Sequence, residues 1–175
     1  IEKVFAGLFI GVRATGLFDL GEKLPVMSSQ ITSALETVIL PAITHLHTLG
    51  QTEELRKLYL KGSRYISLLG GFIMGFLLGF ATPIMTAWLG PAEDLQITAF
   101  IMAWFTLPFQ IHVTTGPCSA FHRGTGQPQR ELFYPFAQMA LVVLLVGGAF
   151  LVMGTTIPAI TIGVATAMVL SGGAY

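Results

Sequence analysis

The chain has 175 residues, of which 53% are hydrophobic and 10% charged, with nine basic and nine acidic side chains. A water-soluble domain carries about 25% charged residues, so this chain is too poor in charge to wet the surface of a globule. Zero net charge, no basic block and 20 glycines without period exclude nucleic-acid-binding, disordered and collagen-like chains. A single cysteine, Cys118, excludes a disulfide framework and a four-cysteine zinc site. We therefore expect an all-α, polytopic integral membrane protein, a transmembrane helix bundle of five or six helices.

The chain opens on Ile1 and closes, at Ser171-Gly172-Gly173-Ala174-Tyr175, inside an apolar run. No signal-peptide pattern is readable. We expect a single bundle over 1–175, a fragment truncated at both ends.

Residues 4–12 are apolar but short, and read as the tail of a partial span over about 1–12. Residues 17–47 carry Asp19, Glu22, Lys23 and Glu36, and by charge alone would not be a span. By period they form an amphipathic helix. At 100° per residue, Asp19, Glu22, Lys23, Ser29, Gln30, Ser33, Glu36 and Thr37 fall within an arc of about 140°. Leu20, Leu24, Met27, Ile31, Ala34, Leu35 and Val38 fill the other side. Such a helix can lie on a membrane or line a watery cavity in a bundle. Its length of ~46 Å and its place between spans favour the cavity. Pro25 and Pro41 should bend it. Uncharged stretches of 28, 28 and 44 residues follow Arg64, Asp94 and Glu131. They predict spans at 65–89 and 95–122, then a pair at 131–153 and 158–175 divided at Gly154-Thr155-Thr156-Ile157-Pro158.

The connection 48–64 carries Arg56, Lys57, Lys61 and Arg64, and 123–131 carries Arg123 and Arg130. With Lys3 ahead of the first partial span, seven cations fall on one side against Arg13 alone on the other. The 48–64 and 123–131 loops are expected to be cytoplasmic.

The polar arc has two readings. In one it lines a translocation cavity, with Glu36 or the Asp19, Glu22 and Lys23 group meeting substrate or a coupling ion. In the other, Lys23 pairs with Asp19 at i,i+4 near the outer headgroups, and Glu36 is an interfacial acid. A carboxylate set in a bundle can also carry a proton. Gln110 and His112 lie mid-span as further cavity candidates. His45 and His47 point ~200° apart on a helix and cannot share one metal. Gly71, Gly75 and Gly79 make a small-xxx-small series that permits close helix contact. Gly124-Thr125-Gly126-Gln127-Pro128 lacks the Lys-Ser/Thr of a phosphate loop. No zinc-protease, nucleophile-elbow or redox-pair motif occurs. No catalytic residue, metal site, cofactor or nucleic-acid partner is expected.

Four segments resemble the polysaccharide and O-antigen flippases of the multidrug/oligosaccharidyl-lipid/polysaccharide exporter superfamily. Phe18-Asp19-Leu20-Gly21-Glu22-Lys23-Leu24 resembles the opening of the family's second helix, with Phe18 where Tyr is usual. Val38-Ile39-Leu40-Pro41-Ala42-Ile43-Thr44 is similar to that helix's end. Glu53-Glu54-Leu55-Arg56-Lys57-Leu58 is similar to the charged linker that follows. Arg123-Gly124-Thr125-Gly126-Gln127-Pro128 is similar to the turn after the fourth helix. In order and spacing they match one six-helix half across nearly the whole chain. The resemblance implies an inner-membrane, multi-pass transporter with two bundles around a central cavity. It would work by alternating access, driven by an ion gradient (H+ or Na+) or the membrane potential. The substrate implied is a lipid-linked oligosaccharide or polysaccharide precursor, and the partners are the lipid bilayer and the missing half of the same chain. Two other readings stay open. One is a cation-coupled multidrug exporter with Glu36 or Asp19 as ion site. The other is a non-transporting membrane scaffold subunit.

Overall fold

The computed structural model describes residues 2–91, 93–127, 129 and 133–173, all-α with no strand among them. Pro128, Arg130 and Glu131 lie outside the described residues, as do the outer limits of the expected 131–153 and 158–175 spans. The helices are α1 (Glu2–Phe9), α2 (Val12–Thr48), α3 (Thr52–Gly79), α4 (Ala81–Leu89), α5 (Leu95–Gly124), α6 (Phe133–Met153) and α7 (Ile157–Gly173). Four of them, α2, α3, α5 and α6, are long and apolar enough to cross a membrane, and α7 is a shorter apolar helix. The chain is a multi-pass membrane protein.

Helices α2 and α5 form the spine. A Cβ on Gly21 would fall 2.6 Å from Ile101, and one on Gly124 would fall 2.5 Å from Ile43. A Cβ on Gly116 would overlap the Glu36 carboxylate. These three meetings share an offset of 80 or 81 positions, so the two helices run parallel and stay in contact for about 33 Å. Of the eleven buried positions on α2, eight (14, 18, 21, 25, 28, 32, 36 and 43) keep close to a seven-residue period, the spacing of a packed helix seam, and Leu17, Glu22 and Ser29 widen it. The helix continues across Pro25 and Pro41, as α5 does across Pro108 and Pro117.

Helix α3 runs antiparallel to this pair, with Gly70 against Val113, where a Cβ would fall at 2.5 Å, and Gly62 against Ile39. The expected small-xxx-small contact is not where the sequence placed it. Gly75 and Gly79 meet nothing within 4 Å and Gly71 makes only an ordinary contact with Gln110. The close approach is Gly70's, because the position of α5 sets which side of α3 is inward. The charged segment 48–64 is helical from Thr52 onward. The 65–89 span is also divided, at Phe80. Pro83 has no N–H to offer the Gly79 carbonyl and its ring crowds that carbonyl, so the helix breaks there.

On the other flank, Ala6, Phe18, Ile101, Phe105, Val146, Ile160 and Val164 belong to one core of α1, α2, α5, α6 and α7. The Phe18 and Phe105 rings meet edge to face with centroids 6.4 Å apart. Gly154 turns the chain with φ +71°, and Thr156 Oγ1 accepts the Ala159 N–H at 3.4 Å to cap α7 just ahead of Pro158.

A candidate polar site on the second helix

Helix α2 has three faces. Its apolar side is outermost, with Met27 52%, Ile31 58% and Val38 75% exposed. In water that would be an inverted helix; in a bilayer it is the face that meets acyl chains. The polar arc is split. Glu22, Ser29 and Glu36, seven residues apart, are buried in the seam together with Ser28 and Thr32. Asp19, Lys23, Gln30 and Thr37 are exposed and Ser33 is half-buried, forming an open polar strip beside the seam. Two of the three buried hydroxyls are spent on the backbone of α2 itself. Ser29 donates to the Val26 carbonyl and Thr32 to the Ser29 carbonyl, both at 2.7 Å, a habit of Ser and Thr within helices.

The first charge cluster was only half legible in the sequence. Helices α1 and α2 fold back on one another through the Gly11 turn, which brings Lys3 level with Asp19 and Glu22. Lys3 Nζ lies 2.7 Å from Asp19 Oδ1 and 2.5 Å from Glu22 Oε1. The Glu22 side chain is 8% exposed, against 56% for Asp19. Lys3 is therefore no loop residue. It sits ~12 Å along the helix from the turn and serves as counter-ion to the sealed carboxylate. Asp19 is taken by Lys3, and no Lys23–Asp19 ion pair occurs among the described residues. At the head of α2, Arg13 binds Asp94 at 2.7 Å through Nη2 and 3.0 Å through Nε, tying α2 to the start of α5.

Glu36 lies ~21 Å further along α2 than Glu22, so the acids form two sites. It is 9% exposed and rests against Gly116, the one residue type that leaves room for its carboxylate there. No hydrogen bond or ion pair holds it among the described residues. Arg123 on α5, seven residues past Gly116 on the same face, attracts it at longer range. Beside it is a void of about 10 Å³ bordered by Tyr59, Ser63, Ile39, Ile66 and Pro117, the room of a single water. The Ser63 hydroxyl is buried beside the Tyr59 phenol.

The remaining candidates lie apart. Gln110 is turned toward α3, where its Nε2 donates to the Ser67 carbonyl at 3.2 Å and to Thr114 Oγ1 at 3.3 Å, a clamp between helices. His112, two positions on and so ~200° round the helix, is exposed on another side and joins neither cluster. No group of three or more His, Cys, Asp or Glu with metal-holding geometry occurs among the described residues. No protein-family model, curated protein or solved structure matches the chain.

Proposed function

We propose that the chain is one bundle of an alternating-access membrane transporter that moves a lipid-linked oligosaccharide across the inner membrane. The observation that carries this reading is the three-faced α2. Its open polar strip of Asp19, Lys23, Gln30, Ser33 and Thr37 stands between a lipid-facing apolar side and a packed seam. An exposed polar strip on a membrane helix needs water or a polar partner. A second bundle facing this strip would enclose a hydrophilic path, as in transporters built from paired repeats. The sugar headgroup would pass along the strip by hydrogen bonding while the lipid tail stays in the bilayer. Transport of this kind makes and breaks no covalent bond, so we assign no catalytic residue. With Lys3 removed from the tally, Arg56, Lys57, Lys61, Arg64, Arg123 and Arg130 still outnumber Arg13 across the membrane, which supports a cytoplasmic side at 48–64 and 123–131.

The test is accessibility. In a Cys118→Ser background, cysteines at Gln30 and Ser33 are expected to react with a charged, membrane-impermeant thiol reagent, and added lipid-linked oligosaccharide should slow both. Silence at both positions in the whole transporter would favour a non-transporting scaffold. One observation favours a second reading, the cation-coupled exporter. Glu36 is sealed, with no ion pair among the described residues, next to the Ser63 hydroxyl and a void the size of one water, a place for a proton or a Na+. Under that reading Glu36→Gln abolishes ion-driven export of cationic dyes, and under the first it leaves such export unaltered.

A further inference from the structure

The outer face of α3 carries a second polar feature that the transport path does not use. Lys57, Lys61 and Arg64 follow at i, i+4 and i+7, within ~60° of one face of the helix. All three are exposed. Lys57 is engaged by Glu54, with Nζ 2.8 Å from Oε1. Lys61 and Arg64 have no ion-pair partner among the described residues. The same face continues directly as Leu68 and Phe72, which are 65% and 77% exposed, with Tyr65 beside them at 69%. Leu60, Lys61, Arg64 and Tyr65 border a shallow recess of about 390 Å³.

This order of side chains sets a depth. The apolar residues from Tyr65 onward belong in hydrocarbon, so Lys61 and Arg64 stand at the headgroup level, where a tyrosine ring is also at home. We propose that Lys61 and Arg64, with Tyr65 beneath them, bind the headgroup phosphate of an anionic phospholipid, whose acyl chains lie along Leu68 and Phe72. Charge complementarity selects the occupant. Glu54 is held by Lys57 and reaches Lys61 only at longer range, so two cations with no ion-pair partner among the described residues favour a lipid with net negative charge. A zwitterionic lipid brings its own cation and gains less. From Arg64 to Phe72 is ~12 Å along the helix, room for the upper half of an acyl chain. The site is independent of what the bundle carries, since it asks only that α3 cross a membrane.

The test is competition between phosphatidylglycerol and phosphatidylcholine, added in equal amounts to the purified chain in detergent and read by native mass spectrometry. Near a membrane surface each cation contributes about fivefold in affinity. Lys61→Gln with Arg64→Gln is therefore expected to lower the ratio of bound phosphatidylglycerol to phosphatidylcholine on the order of twentyfold. Lys57→Gln should leave the ratio within about twofold. The charge-preserving pair Lys61→Arg and Arg64→Lys should keep it, and keep the fold as well. An unchanged ratio in the double glutamine variant would overturn the proposal. An equal fall in Lys57→Gln would overturn it too, because it would mean general attraction to the basic helix end.

Discussion

Gly116→Ala tests the seat of Glu36 directly. The new methyl carbon would occupy the place of the Glu36 carboxylate, overlapping both Oε1 and Cδ. A carboxylate at the end of a flexible side chain can often step aside. Here the void beside it holds about 10 Å³, which takes one water but not a three-atom group. Helix α5 must therefore back away from α2, or Glu36 must leave the seam. Overpacking of this kind costs about 1–3 kcal/mol, offset by about 1 kcal/mol from replacing Gly by Ala within a helix. The net loss is about 0–2 kcal/mol by the same reckoning. In a Glu36→Ala background the obstruction is gone, and the same substitution should be neutral or stabilising by up to about 1 kcal/mol. Unfolding by SDS in mixed micelles, followed by circular dichroism across the four chains of the double-mutant cycle, gives the coupling. A coupling below about 0.5 kcal/mol, the error of additivity, would mean that Glu36 does not rest on Gly116.

Lys3→Met takes the Lys3 ammonium away from the sealed Glu22 carboxylate. Since Lys3 is partly exposed, the loss should fall between the surface and buried limits, about 2 kcal/mol, and Glu22→Met in the same chain should recover most of it in the same unfolding assay. Gly70→Ala, whose Cβ meets Val113, should destabilise by up to about 2 kcal/mol, whereas Gly75→Ala, which meets nothing within 4 Å among the described residues, should stabilise by up to about 1 kcal/mol. The opposite order would put the wrong side of α3 inward. Gln110→Leu exchanges two long hydrogen bonds and a buried oxygen with no partner among the described residues for packing, so stability should change by less than about 1 kcal/mol. Transport lost with the fold intact would return Gln110 to the substrate path.

Much of the architecture could be read from the chain because local chemistry fixes it. Gly154 and Pro158 mark the α6–α7 turn with no help from the rest of the molecule. The charge-free stretches mark the spans because bilayer thickness sets their length. The polar arc of α2 was readable for the same reason, being a property of one helix. Its division into a sealed row and an open strip was not, since α5 decides which polar residues are covered. Lys3 was misplaced because its neighbours in sequence read as a flank, and only the antiparallel fold of α1 on α2 sets it beside Glu22. Gly70 lost to Gly71, Gly75 and Gly79 for a similar reason, because a repeat shows which residues share a face and not which face is inward. The break at Phe80 did leave a signal in Pro83, which the hydrophobic run around it masked.

The parallel course of α2 and α5 has an electrostatic consequence. Each helix carries about half a negative charge at its C-terminal end. Because the two run the same way, both half-charges arrive at one end of the bundle and repel. Both final turns are basic, with His45 and His47 on α2 and His122 and Arg123 on α5. Antiparallel partners would have cancelled their dipoles without help. A cation at that end is favoured, so Arg123 in the last turn of α5 offsets the spine's own half-charges, together with the N-terminal end of the antiparallel α3.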